Sequence, residues 1–148
     1  MLLKKNEQSP DIFELMSNLS RDWDHKVRNE AAKFIGGHWI WGAKPQKPEA
    51  IEIMLRLSKD KDRGVRYQAV YYGLSIVESK DERIIKRLIE MALDQANDFG
   101  RISWGLSYGA DKEMIKKYLK PYLGLESKKS ELARQLYKEI FKEELPEI

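Results

Sequence analysis

The chain has 148 residues, no cysteine, two histidines and a formal net charge of +3. This length suits one domain with a hydrophobic core of its own, and the lack of cysteine excludes disulfides, thiolate catalysis and cysteine-ligated metals. Charged residues make up 34% of the chain and the two signs are interleaved, which favours a solvated surface over a dedicated nucleic-acid surface.

The first element predicted along the chain is an amphipathic helix in "DIFELMSNLS". Its apolar residues fall on one face at helical spacing, namely Ile12, Leu15, Met16 and Leu19. The turn "RDWD" follows it. We therefore expect this helix to pack with that stripe towards a core.

A second helix is predicted in "HKVRNEAAKFIGG", where Val27, Ala31 and Ile35 share a face. Asp24 stands where a carboxylate can accept hydrogen bonds from the first backbone N–H groups and meet the positive end of the helix dipole. We expect Asp24 to cap this helix.

The segment "GGHWIWGAKPQKP", residues 36–48, is rich in helix-breaking glycine and proline. We expect a loop that begins at Gly36. Its tryptophans, Trp39 and Trp41, and Trp23 in the preceding turn are expected to anchor the chain. A role of this loop in contacting a partner is an alternative.

The same order of features returns 38 residues further on. Asp22, Asp24, Val27, Arg28 and Ala31 match Asp60, Asp62, Val65, Arg66 and Ala69. The preceding segment "AIEIMLRLSK" matches the first apolar helix, and Asp62 takes the capping position of Asp24. The chain therefore contains an internal repeat of two helices joined by an acidic turn.

A third, degenerate copy follows. "DERIIKRLIEMALD" predicts its first helix, with the apolar stripe Ile84, Ile85, Leu88, Met91 and Ala92. In "NDFGRISWGLSYGA" an offset of 35 residues aligns Arg101 with Arg66, whereas an offset of 37 aligns Ile102 with Val65. We favour 37, because it keeps apolar residues on apolar positions.

The last helical pair, "DKEMIKKYLKPYL" and "SKKSELARQLYKEIFKEEL", lacks the D-x-D and V-R motifs. Terminal repeats are commonly atypical because their outer face meets water. We interpret this pair as a cap whose inward residues are Leu132, Leu136, Tyr137 and Ile140.

An apolar helix, a D-x-D turn and V-R-x-x-A at the head of a second helix resemble the HEAT repeat and its HEAT-like relatives. The resemblance implies an all-α fold, a right-handed α-solenoid of about four helical hairpins. We expect one domain over residues 1–148, with repeats at about 10–42, 47–80 and 81–110 and a capping hairpin at 111–148. In that family the first helices form the convex layer and the second helices the concave one.

The resemblance also implies a structural role for the repeated charges. We expect Asp24, Arg28, Asp62 and Arg66 to form an inter-repeat ladder in which Asp24 of one repeat reaches Arg66 of the next. A phosphate contact is the alternative for these arginines. Lys26, Lys33 and Arg63 suit that role better, but they are few.

Aromatic residues on the second helices are the main candidates for binding. Tyr67 and Tyr71 lie four residues apart and should face the concave groove, with Gln68 and Ser75 near them. Trp104 and Tyr108 repeat this spacing in the third copy and would extend the patch, and Lys33 completes the candidate partner-binding set. The alternative is that these rings pack against neighbouring helices.

We find no catalytic constellation, because D-x-D in this context serves turns and caps. We expect a non-enzymatic, cytoplasmic scaffold that binds a protein or peptide, of an immunity, antitoxin-like or adaptor kind. We expect no cofactor, no metal and no membrane segment, and a monomer or weak homo-oligomer. The alternative is a nucleic-acid binder resembling the HEAT-like DNA glycosylases, while a bilin-lyase-like role rests on the shared repeat alone.

Overall fold

The structure is a computed structural model that describes residues 10–94, 98–124 and 126–142. Every regular element in these ranges is helical, which confirms the all-α prediction. The helices are α1 Pro10–Leu19, α2 His25–Trp39, α3 Pro48–Leu57, α4 Arg63–Tyr71, α5 Glu82–Asp94, α6 Phe99–Ser107, α7 Lys112–Leu123 and α8 Lys128–Phe141, with a short 3₁₀ turn at Leu74–Ile76.

The helices group into two compact units that divide between Val77 and Glu78. Unit 1 contains α1 to α4, and unit 2 contains α5 to α8. The assignment of residues 1–148 to one domain stays a prediction.

In unit 1, α2 packs against α1, α3 and α4, and α3 packs against α4. The second helices of the two repeats therefore lie side by side. Their shared core consists of fully buried aliphatic side chains, including Ala32, Ile35, Met54, Leu57, Val65, Ala69 and Leu74. Each large side chain of this kind contributes about 1.5–3 kcal/mol on burial.

The expectation that Gly36 ends the second helix is wrong, because α2 continues to Trp39. A Cβ atom on Gly36 would lie 2.6 Å from the Cβ of Tyr72. Because Gly36 has no side chain, the chain just after α4 can pack closely against α2 at this position. The connection to α3 is correspondingly shorter and contains Gly42, whose φ is +69°.

Helix α1 is covered less than its apolar stripe predicts. None of its residues is buried, and Leu15 is 50% exposed. Phe13, on another face, packs edge-on against Trp39 with ring centroids 5.0 Å apart. The prediction that Leu15 points into the core is therefore wrong, because the side of α1 that packs against α2 is the one that carries Phe13.

Unit 2 follows its predicted pattern closely. The stripe of α5 is buried at every predicted position, Ile84, Ile85, Leu88, Met91 and Ala92. The expected inward residues of the last helix are buried as well, namely Leu132, Leu136, Tyr137 and Ile140. In α6, Ile102 and Leu106 are buried, as the 37-residue offset predicts, and Arg101 is partly exposed.

Candidate functional site

The two D-x-D turns have the same internal hydrogen bonds. Asp22 accepts the backbone N–H of Asp24 at 2.9 Å, and Asp60 accepts that of Asp62 at 2.9 Å. Asp24 accepts from the backbone N–H of Lys26, which makes it the N-cap of α2 as predicted. The first aspartate thus closes the turn and the second caps the helix.

Asp62 caps α4 too, but it accepts the backbone N–H three residues on, that of Val65, at 3.0 Å. The repeated arginines also have equivalent local bonds. Arg28 donates to the carbonyls of Asp22 and Trp23, and Arg66 donates to those of Asp60 and Lys61. These bonds satisfy carbonyls of the turn that the helices leave unpaired.

An ion pair joins the two repeats of unit 1. Arg28 donates from Nε to Oδ2 of Asp60 at 2.8 Å and from Nη2 to Oδ1 at 3.0 Å. Both side chains are largely buried. The bidentate geometry is the strong form of an arginine–carboxylate contact.

The predicted ion pair between the repeats is wrong in its residues. Arg28 of the first repeat reaches the turn of the second, whereas we expected Asp24 of the first to reach Arg66 of the second. Asp24 does not take part because its carboxylate faces the start of its own helix. The carboxylate that joins the repeats is Asp60, the first aspartate of the second turn.

Electrostatics reinforce the Arg28–Asp60 pair. Burial alone would raise the pKa of Asp60, but hydrogen bonds from Arg28 and from the Asp62 backbone N–H outweigh it and hold that pKa below its usual value. The hydrogen bond to Asp60 likewise raises the pKa of Arg28. The pair is therefore ionised around neutral pH.

Tyr67 and Tyr71 lie on the surface of unit 1. Their rings stack with centroids 5.7 Å apart, and Tyr71 also meets Tyr72 edge-on at 4.9 Å. Tyr67 is 38% exposed and Tyr71 is partly exposed. Val65, on the opposite side of α4, is buried as predicted.

The polar neighbours expected beside these tyrosines differ from each other. Gln68 is partly exposed, and its Oε1 is a buried acceptor without a hydrogen-bond partner in the described part of the chain. Ser75 is fully buried and donates to the carbonyl of Val70 at 2.7 Å. The expected position of Ser75 in the groove is therefore wrong, because it lies in the 3₁₀ turn after α4.

Unit 2 carries a second stacked pair. The rings of Trp104 and Tyr108 are almost parallel, 8° apart with centroids 5.5 Å from each other. They are 47% and 46% exposed. The guanidinium of Arg101 lies 4.6 Å from the centroid of the Trp104 ring, at a distance typical of cation–π contacts.

A buried lysine supports this second pair. Lys80 donates from Nζ to the carbonyl of Tyr108 at 2.7 Å, and its ammonium lies 5.3 Å from the centroid of the Tyr108 ring. Burial lowers the pKa of Lys80 to about 8. No sequence pattern indicates Lys80, because it precedes the third repeat and lies outside any helical stripe.

The tyrosine pair and the Trp104–Tyr108 pair thus have the same four-residue spacing, one in each unit. Their union into a single patch stays a prediction. Lys33, the remaining candidate, lies on α2 of unit 1 and pairs with Glu30 at 3.5 Å. It borders a groove between α1 and α2 that no sequence pattern indicated.

The other tryptophans divide between two environments. Trp39 is buried and anchors the end of α2, as predicted. Trp23 is 87% exposed and Trp41 is exposed, so neither is anchored as expected. The backbone carbonyl of Trp23 accepts a hydrogen bond from Arg28, while its indole ring lies at the surface.

Among residues 10–94, 98–124 and 126–142, no three histidine, aspartate or glutamate side chains come together as a metal site would require. The D-x-D aspartates are engaged in turns and caps. No helix of the described chain is both long enough and apolar enough to cross a bilayer.

Comparison with known proteins agrees with the repeated geometry. A family model for HEAT repeats matches residues 12–107, which include the first three helical hairpins. A search of curated proteins found no significant match to the chain. The match covers well over half of the sequence and coincides with the duplicated turns, caps and arginines, and the helical structure is consistent with an α-solenoid. The chain therefore belongs to the HEAT repeat family.

Proposed function

We propose that this chain is a non-catalytic interaction module that holds a protein or peptide through the exposed aromatic pairs on its second helices. HEAT repeats generally serve as protein-interaction scaffolds, which supports the general form of this proposal. The assignment of binding to the aromatic pairs rests on the Trp104–Tyr108 stack, in which two large rings are each nearly half exposed.

The aromatic pairs suit recognition for an entropic reason. A stacked ring has already lost much of its rotational freedom, so a partner that covers it causes little further loss. Arg101 and Lys80 lie against the rings of Trp104 and Tyr108 and restrain them further. Tyrosine and tryptophan are also the residues most often found at the energetic centre of protein interfaces.

The tyrosine pair of unit 1 offers similar chemistry. Tyr67 and Tyr71 stack on each other, and the Oε1 of the neighbouring Gln68 is a buried acceptor with no hydrogen-bond partner among the described residues. We assign Tyr67, Gln68, Tyr71 and Lys33 in unit 1, and Trp104 and Tyr108 in unit 2, to the partner-binding surface. The immunity, antitoxin-like and adaptor roles are finer forms of this proposal and share its test.

Affinity capture with matched variants tests the proposal. The immobilised chain, Trp104→Ala and Tyr67→Ala would be exposed in parallel to an extract of the native host, and bound proteins would be quantified by mass spectrometry. Trp23→Ala is the control, because it removes a more exposed ring outside both pairs.

We expect a protein that binds the wild type and the control, and whose recovery falls at least about tenfold with Trp104→Ala or Tyr67→Ala. Retention of every bound protein by both variants would contradict the proposal. Duplex DNA at low ionic strength is the control ligand, and a salt-dependent shift of its mobility would instead favour the nucleic-acid alternative.

A further inference from the structure

Unit 1 has an apolar groove between α1 and α2 that no described residue fills. Its volume is about 650 Å³. Apolar side chains line most of it, namely Met16, Leu19, Val27, Ala31 and Phe34. Of these, only Ala31 is buried.

Helix α2 is therefore apolar on two sides. One side carries Ala32 and Ile35, which are fully buried in the core of unit 1. The other side carries Val27 and Phe34, which remain partly exposed. An exposed apolar groove rimmed by polar residues is typical of an interaction surface.

The rim of the groove carries charges of both signs. Lys26, Glu30 and Lys33 border it, and Glu30 and Lys33 pair with each other at 3.5 Å. A rim with one sign would repel its own copy. A rim with both signs complements itself, because Glu30 of one copy can meet a lysine of another.

The last helix offers no matching surface. Side chains on the exposed side of α8 form a shallow polar groove lined by Glu131, Arg134, Gln135, Lys138 and Glu139. Placing this charged surface on the apolar groove of another copy would desolvate charges without partners. A contact between the α1–α2 groove of one copy and the exposed side of α8 of another is therefore disfavoured.

We propose that a second copy of this chain covers the groove, with the α1–α2 surfaces of the two copies facing each other across a two-fold axis. Such an isologous contact buries apolar groups against apolar groups and closes at the dimer. The partly exposed ring of Phe34 is the largest apolar side chain in the groove and serves as the anchor of the interface. None of the four rings of the aromatic pairs lines the groove, although Lys33, assigned above to the partner-binding surface, lies on its rim.

Sedimentation equilibrium of residues 1–148 tests the dimer, with two neighbouring residues of α1 as the matched pair. Met16 lines the groove, whereas Leu15 is more exposed and does not. We expect a wild-type dimer at ~100 µM, a dissociation constant raised at least about tenfold by Met16→Glu, and little change with Leu15→Glu. A monomeric wild type, or equal effects of the two substitutions, overturns the proposal.

Charge reversal on the rim provides a second test that leaves the apolar residues in place. Glu30→Lys makes the rim wholly basic, and the double variant Lys26→Glu/Lys33→Glu makes it wholly acidic. We expect each variant alone to dimerise less than the wild type, and an equimolar mixture to form heterodimers. Failure of the mixture to associate more tightly than either variant alone contradicts the two-fold contact.

The two binding proposals fail separately. Met16→Glu should lose the dimer and retain capture of the protein partner, while Tyr67→Ala should retain the dimer. Loss of the dimer with Tyr67→Ala would show that self-association uses the aromatic surface and would overturn the proposed groove contact.

Discussion

Arg28 binds Asp60 of the following repeat through two hydrogen bonds of 2.8 and 3.0 Å. The same carboxylate also accepts the backbone N–H of Asp62 and so closes its own turn. One aspartate therefore fixes both the geometry inside a repeat and the contact between two repeats.

Replacing Asp60 should destabilise unit 1 more than replacing its neighbour. Asp60→Asn leaves the buried guanidinium of Arg28 without its anion, and we expect a loss of about 3 kcal/mol in the free energy of unfolding. Asp62→Asn is the control, because asparagine caps helices about as well as aspartate, and we expect a change below about 0.5 kcal/mol. Urea denaturation of both variants measures the difference, and equal losses would contradict the role of the pair.

Acid should weaken the fold through the same carboxylate. The pKa of Asp60 in the folded chain lies below its unfolded value, so its stabilisation is complete above the unfolded pKa of about 3.9 and is lost as pH falls through the folded-state value. Below about pH 4 the free energy of unfolding of the wild type should therefore fall more steeply than that of Asp60→Asn. Urea titrations at pH 7, 5, 4 and 3 provide the comparison, and parallel curves would argue against the assignment.

Two adjacent glycines of α2 should respond in opposite directions to alanine. In Gly36→Ala the new methyl group collides with the backbone and Cβ of Tyr72, and we expect a loss of several kcal/mol, about 2–4. In Gly37→Ala no described atom outside the adjoining residues and the helix's own backbone lies within 4 Å of the new Cβ, and the helix should gain about 0.5–1 kcal/mol. Thermal unfolding separates the two, and similar midpoints would show that α2 and Tyr72 do not pack closely.

Lys80 should make unit 2 more stable at alkaline pH. Its pKa of about 8 in the folded chain lies below the unfolded value of 10.5, so between these values the unfolded chain binds more protons. Below pH 8 Lys80 is protonated in both states, and its contribution to the free energy of unfolding is lowest there. Between pH 8 and pH 10.5 that contribution rises by about 2–3 kcal/mol. In chemical denaturation, the free energy of unfolding of the wild type relative to that of Lys80→Met should therefore increase as the pH is raised from 7.5 to 10. An unchanged difference between the two proteins would contradict burial of the amine.

The sequence was sufficient to predict what depends on spacing along one helix. The capping positions of Asp24 and Asp62 and the buried stripe of α5 follow from local hydrogen bonding and helical periodicity. The same rules predicted that Val65 and Tyr67 would take different sides of α4. The observed exposure of Tyr67 agrees with that prediction.

Features that depend on contact between elements could not be predicted in this way. Periodicity places Leu15 on an apolar stripe, but only the packing of α1 on α2 decides which side is covered. Gly36 looks like a helix terminator until the approach of Tyr72 is known. The sequence favoured a contact from Asp24 to Arg66 over the observed one from Arg28 to Asp60, because the choice depends on how one hairpin packs against the next.

The Arg28–Asp60 ion pair also has a consequence for how repeats can be added to such a chain. Both well-matched copies contain this arginine and this aspartate, at positions 38 residues apart, and Arg28 of the first copy pairs with Asp60 of the second. A tandem duplication of one repeat would therefore bring both halves of a new ion pair with it. The array could therefore grow by duplication without a compensating substitution at the contact between repeats. Two turns of matching sequence, as found here, are what such a duplication would produce.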